Sequence, residues 1–98
     1  MPAKHMDLDA AEAIALEAVN FLAQDPARLA HFLQETGMGP ADLKQSITEK
    51  SFQAGVLTHL MADEQLLLTF TSGRGIEPEI IERAQGMLSG RAQEYQST

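Results

Sequence analysis

The 98-residue chain has no cysteine and no tryptophan, with one tyrosine and four phenylalanines. Lack of cysteine excludes disulfides, thiolate metal sites and cysteine nucleophiles. With so few aromatics, the core has to be built from Leu, Ile, Val, Met and Ala, which are mostly good helix formers. Basic residues are also scarce: seven Lys and Arg oppose fourteen Asp and Glu, giving a formal net charge of −7. A surface of that sign repels phosphate backbones and anionic lipid, which argues against general nucleic-acid binding and against docking on membranes. No apolar run approaches the roughly 20 residues of a membrane span. The opening stretch MPAKHMDLD lacks the apolar segment of a secretion signal. These absences lead us to expect a soluble, cytoplasmic protein with no membrane contact.

What is present is a helical pattern with regular punctuation. The length suits one domain, which buries about 60–70% of its unfolded surface. Residues 1–6 lack periodicity and are expected to be disordered, and the polar stretch RAQEYQST at 91–98 reads as a flexible tail. A single helical domain is expected over 7–90. Helix 1 begins near Asp7 or Asp9, and Asp9 with Glu12 has capping-box spacing. Its apolar stripe runs through Leu8, Ala11, Ile14, Ala15, Ala18, Val19, Phe21 and Leu22. Leu16 falls off that stripe, so it is either a lone exposed leucine or a contact for a partner. Asp25 followed by Pro26 opens helix 2, and Gly37 stops it. Pro40 opens a short helix 3 in which Leu43 and Ile47 point inward. Ser51 is a candidate cap for helix 4, whose stripe is Phe52, Val56, Leu57, Leu60 and Met61. Asp63 opens helix 5, Gly75 closes it, and Pro78 starts helix 6.

Residues 13–48 and 51–86 align without a gap, with six identities: Leu22/Leu60, Asp25/Asp63, Leu29/Leu67, Phe32/Phe70, Gly37/Gly75 and Pro40/Pro78. Average composition gives about two by accident. The matches are helix starts, helix stops and inward apolar positions. The expected fold is all-α, a compact bundle of about six helices. The likeness reads either as two pseudo-repeats of three helices or as the self-resemblance of any leucine-rich helical chain punctuated by Asp, Gly and Pro, and the six-helix reading holds in both cases. One copy of about 38 residues is too small to shield its apolar face, but two copies can share a core. The copies differ where Arg28 and Ala30 correspond to Leu66 and Leu68. This wider apolar face predicts that helix 5 packs at the centre. If it does not, Leu66 and Leu68, with Leu16, form an interaction surface, for instance in a homodimer.

Candidate chemistry is sparse. The turn GMGP at 37–40 resembles the glycine–apolar–glycine turn of helix-hairpin-helix DNA-binding modules, making Gly37 and Gly39 a candidate phosphate turn. The second copy reads GIEP, with Glu77 where a phosphate would approach, and no basic cluster lies nearby. His31 with Glu35, and His59 with Asp63, have the i,i+4 spacing of paired metal ligands. Each pair lacks a third ligand in sequence, so no metal is expected. Five serines occur, none in a G-x-S-x-G pattern, and there is no Walker loop or dinucleotide fingerprint. We therefore expect no catalytic residues and no cofactor. The leading functional expectation is a non-catalytic protein-interaction or structural module, and the alternative is weak nucleic-acid binding through GMGP.

The stretches AEAIALEAVNFLAQDPARLAHFLQETGMGPADL and LMADEQLLLTF, within about Ala10 to Gly90, resemble a small bacterial family of helical proteins catalogued as a domain of unknown function. The resemblance implies a freestanding bacterial helical protein and brings no activity, ligand or site residues.

Overall fold

Asp25 and Asp63, 38 positions apart, do the same job. The Asp25 carboxylate accepts from the Ala27 amide at 3.0 Å, and the Asp63 carboxylate accepts from the Leu66 amide at 3.2 Å. Each satisfies an amide that a helix start leaves without a partner. The helices they open close alike. Gly37 and Gly75 adopt left-handed conformations, with φ of 73° and 65°. The next residue then folds back: Met38 N–H donates to Leu33 C=O at 3.1 Å, and Ile76 N–H to Thr71 C=O at 3.0 Å. This is the six-to-one bond of a Schellman stop, and both residues lie partly buried against the core.

The computed structural model describes residues 6–90. They form six helices: α1 (Leu8–Ala23), α2 (Pro26–Thr36), α3 (Pro40–Ser46), α4 (Lys50–Met61), α5 (Glu64–Arg74) and α6 (Pro78–Ser89). No strand occurs among the described residues, and the all-α expectation stands. α1 and α4 end at matching positions, α2 and α5 match at both ends, and α3 and α6 start alike.

Three local expectations are corrected. The cap of α1 is Asp7, whose carboxylate accepts from the Ala10 amide at 2.9 Å, and not Asp9 with Glu12. Asp9 lies within the first turn, where its charge still complements the helix dipole. α4 starts from Glu49, which makes no side-chain capping bond, so Ser51 is already inside the helix. Met6, expected in a disordered N-terminus, is half-buried against the core. The rest of that segment, residues 1–5, and the tail 91–98 lie outside the described residues.

The core sits between the two copies. α1 contributes Ala11, Ala15, Ala18, Val19, Phe21 and Leu22, and α4 contributes Phe52, Gln53, Ala54, Val56, Leu57 and Leu60. α6 lies along both, adding Ile81, Ala84 and Leu88. The shorter helices then exchange phenylalanines. Phe32 of α2 meets Phe52 and His59 of α4, with ring centroids 5.9 and 5.1 Å apart. Phe70 of α5 meets Phe21 of α1 at 5.2 Å. Each copy thus covers the other's aromatic residue, which is how two units too small to stand alone come to share one interior.

Helix α5 is not central, contrary to the expectation from its leucine run. Only Phe70 and Thr71 are buried on it. Leu66 and Leu67 are half-buried, and Leu68 is 44% exposed. Successive helical residues point about 100° apart, so three adjacent leucines cannot share one inward face. The central element is α4, which packs against α1, α5 and α6.

Candidate functional site

The GMGP turn is satisfied from within the chain. Gly39 is the cap of α3, and its N–H donates to the Asp42 carboxylate at 3.0 Å. Glycine has no side chain to return the bond, so only one half of a capping box exists here. A phosphate at this turn would have to displace a carboxylate and then face it. Gly37 is used as the left-handed stop of α2. The sequence already contained Asp42, but its reach back to Gly39 depends on the start of α3.

The fold brings together the two histidine pairs that the sequence keeps apart. His31 on α2 and His59 at the end of α4 have ring centroids 5.7 Å apart. They share a depression of about 230 Å³ with Ala27, Arg28, Asp63 and Leu66. His31 is exposed, with Nε2 3.9 Å from the Glu35 carboxylate. His59 is half-buried, its ring edge-on to Phe32, and its Nε2 is buried without a hydrogen-bond partner. Burial pushes the His59 pKa below its ordinary value. The neighbouring His31 pushes the same way, and Glu35 and Asp63 oppose more weakly. Among the described residues, no three His, Asp or Glu side chains converge as metal ligands. The internal repeat supplies another account: His59 matches Phe21, and both rings pack on the phenylalanine of the opposite copy's short helix. In the second copy an imidazole fills an aromatic slot.

Phe21 has a different neighbourhood. The Arg28 guanidinium lies 4.5 Å from its ring centroid, and that of Arg74 lies 5.5 Å from it and 4.8 Å from Phe70. Arg74 Nε also donates to Glu17 at 2.9 Å. These contacts pin the end of α5 to α1. Leu66 stands where Arg28 stands in the first copy, so the two aromatic slots are flanked differently.

The leucines singled out from sequence do not form one surface. Leu16 is 42% exposed and Leu68 44%. Leu16 lies in a shallow depression of about 420 Å³ with Ala13, Glu17, Val19, Asn20, Ala23 and Ile47. Leu66 turns toward the histidine depression. Leu66 and Leu68 are two steps apart on one helix, so they point to nearly opposite sides. A third hollow, of about 400 Å³, has Met61, Leu67 and Pro78 beside Glu79 and Glu82. Two buried polar residues, Thr71 and Gln53, carry no mark in the sequence. Gln53 is 1% exposed and donates to Ile47 C=O at 2.9 Å and to Glu12 at 3.3 Å. It tethers the end of α3 to α4, and no motif in the sequence marks it.

The family described as "Protein of unknown function (DUF3572)" matches residues 8–91, which span all six helices. The chain belongs to the DUF3572 family. No curated protein and no solved structure matches it. The DUF3572 match covers both pseudo-repeats together, so the six-helix unit and not the three-helix half corresponds to the family. Among the described residues, no helix is long and apolar enough to cross a membrane.

Proposed function

We propose that this DUF3572 chain is a small, non-catalytic protein-interaction module. The observation that carries the reading is Leu16: a large apolar side chain, 42% exposed, in a hollow that no segment among the described residues covers. A leucine left open beside Val19, Ala23 and Ile47 gains from a cover, and a protein surface can supply one. Several side chains with reactive groups among the described residues have structural work that supports the same reading. His59 fills a packing slot, Asp25 and Asp63 cap helices, and Asp42 holds its own turn. Nothing in the geometry of the GMGP turn favours the nucleic-acid alternative.

The test is affinity purification of the tagged full chain from its native host, alongside Leu16→Glu and Leu68→Glu variants, with mass spectrometry of what co-purifies. The reading expects a stoichiometric partner that one of the two substitutions releases. Recovery of the same proteins with all three baits, or of none, overturns it. Sedimentation of the chain alone separates self-association from a foreign partner.

A further inference from the structure

α3 and α6 start at matching prolines, but α3 ends at Ser46 and α6 continues to Ser89. Ser46 matches Ala84, so α6 runs on for more than a turn beyond the point where α3 stops. The two copies also differ in placement: α6 lies along α4, whereas α3 makes little contact with α1. Gln85 of α6 donates to Thr58 of α4 at 3.2 Å. Their counterparts, Ile47 and Asn20, also lie together, in the wall of the Leu16 hollow. Past this position α6 still carries Met87 and Leu88, and the residue of α4 that matches Leu16, Ala54, is only 6% exposed. On the α1 side the chain turns away at Ile47 to begin α4, held by the Gln53 bond to Ile47 C=O. The Leu16 hollow thus lies on the face of α1 that corresponds to the face of α4 beside α6, and here no helix covers it among the described residues.

We propose that this groove on α1 is a docking site for an amphipathic, basic helix of a partner protein, which takes the place on α1 that α6 holds on α4. The proposal rests on the interaction-module reading and specifies its face and its partner. The second copy provides the pattern: a helix laid along the long helix, with aliphatic side chains one turn apart. The floor of Ala13, Leu16, Val19, Ala23 and Ile47 asks for Leu, Ile or Met at that spacing. Charge sets the rest. The lining holds Glu17, already paired with Arg74, and no Lys or Arg, on a chain of net charge −7. Lys or Arg flanking the partner's apolar stripe is complementary to that field, whereas a second copy of this chain brings like charge.

The probe is a synthetic peptide with the sequence of residues 78–89 carrying Glu79→Lys and Glu82→Lys, titrated at low salt into the isotope-labelled full chain. Amide shifts are expected at Leu16, Val19, Asn20, Ala23 and Ile47. Leu16→Glu and Leu16→Ser should each weaken binding by about tenfold or more, with thermal melts confirming that both variants fold, and Leu68→Glu should not. Shifts centred on Leu66 and Leu68 would overturn the α1 groove while leaving the interaction reading intact. So would the absence of any shift at millimolar peptide, because the general reading stands or falls on the native-host purification. Equal binding of the peptide with Glu79 and Glu82 retained would overturn the basic partner.

Discussion

At the scale of single residues, His59 is a titratable group whose pKa folding clearly lowers. Its Nε2 is buried without a partner, and its ring packs on Phe32 as Phe21 packs on Phe70. A pKa lowered in the folded state means that, as pH drops below about 6.5, the unfolded chain takes up a proton that the folded chain resists. The contribution is therefore fully present above that value and is lost as pH falls toward the folded pKa. Melting temperature should decrease from pH 7.5 to 5.5, and His59→Phe should flatten that decrease without lowering stability at pH 7.5. An unchanged slope in the variant would show that the imidazole is not the titrating group. Among the phenylalanines, Phe70 has no exposure and Leu68 is 44% exposed. Phe70→Ala should cost about 3–5 kcal/mol in urea melts, and Leu68→Ala less than about 0.5 kcal/mol. The inward phenylalanines were legible from periodicity. The role of His59 was not, because it depends on which copy's ring lies opposite, a contact between residues far apart in the chain.

At the scale of elements, punctuation was more informative than hydrophobicity. Asp25, Gly37, Pro40, Asp63, Gly75 and Pro78 each act locally, through bonds or backbone angles within a few residues, so the sequence carries their meaning directly. Gly37 and Gly75 both require the left-handed conformation, and a Cβ added at either meets no atom within 4 Å. The cost of a side chain there is conformational and not steric contact with neighbours. Gly37→Ala and Gly75→Ala should each destabilise by about 1–2 kcal/mol, with similar values in the two copies. A loss at only one site would mean that the two stops are not equivalent. The composition of α5 misled because three consecutive leucines raise the apolar content without setting a direction. Leu67 is half-buried beside Met61 and Pro78, so Leu67→Ala should cost about 1 kcal/mol, below the range of fully buried leucines.

At the scale of the whole molecule, the two copies are similar in pattern and unequal in load. α3 buries no residue, whereas α6 buries Ile81, Ala84 and Leu88 and lies against both α1 and α4. Helix length accounts for Leu88 alone, since Ile81 and Ala84 match Leu43 and Ser46, which are only half-buried on α3. α3 stops where the chain turns into α4, and it packs far less closely on α1 than α6 does on α4. The asymmetry both opens the groove at Leu16 and concentrates stability at the C-terminal end of the described fold. Burying an Ile or Leu side chain contributes roughly 1.5–3 kcal/mol, so Ile81 and Leu88 together approach the roughly 5–10 kcal/mol that holds a domain of this size. Their loss would also uncover apolar residues of α1 and α4 beneath them. A chain ending at Glu77 should therefore fail to fold, giving weak ellipticity at 222 nm and no cooperative urea transition. Leu43→Ala, on the lightly packed α3, should leave a cooperative transition within about 1–2 kcal/mol of the full chain, because Leu43 is only half-buried. A truncated chain that still melts cooperatively near the full chain's midpoint would place the centre of stability between α1 and α4 alone, and α6 would then be a cover and not a support.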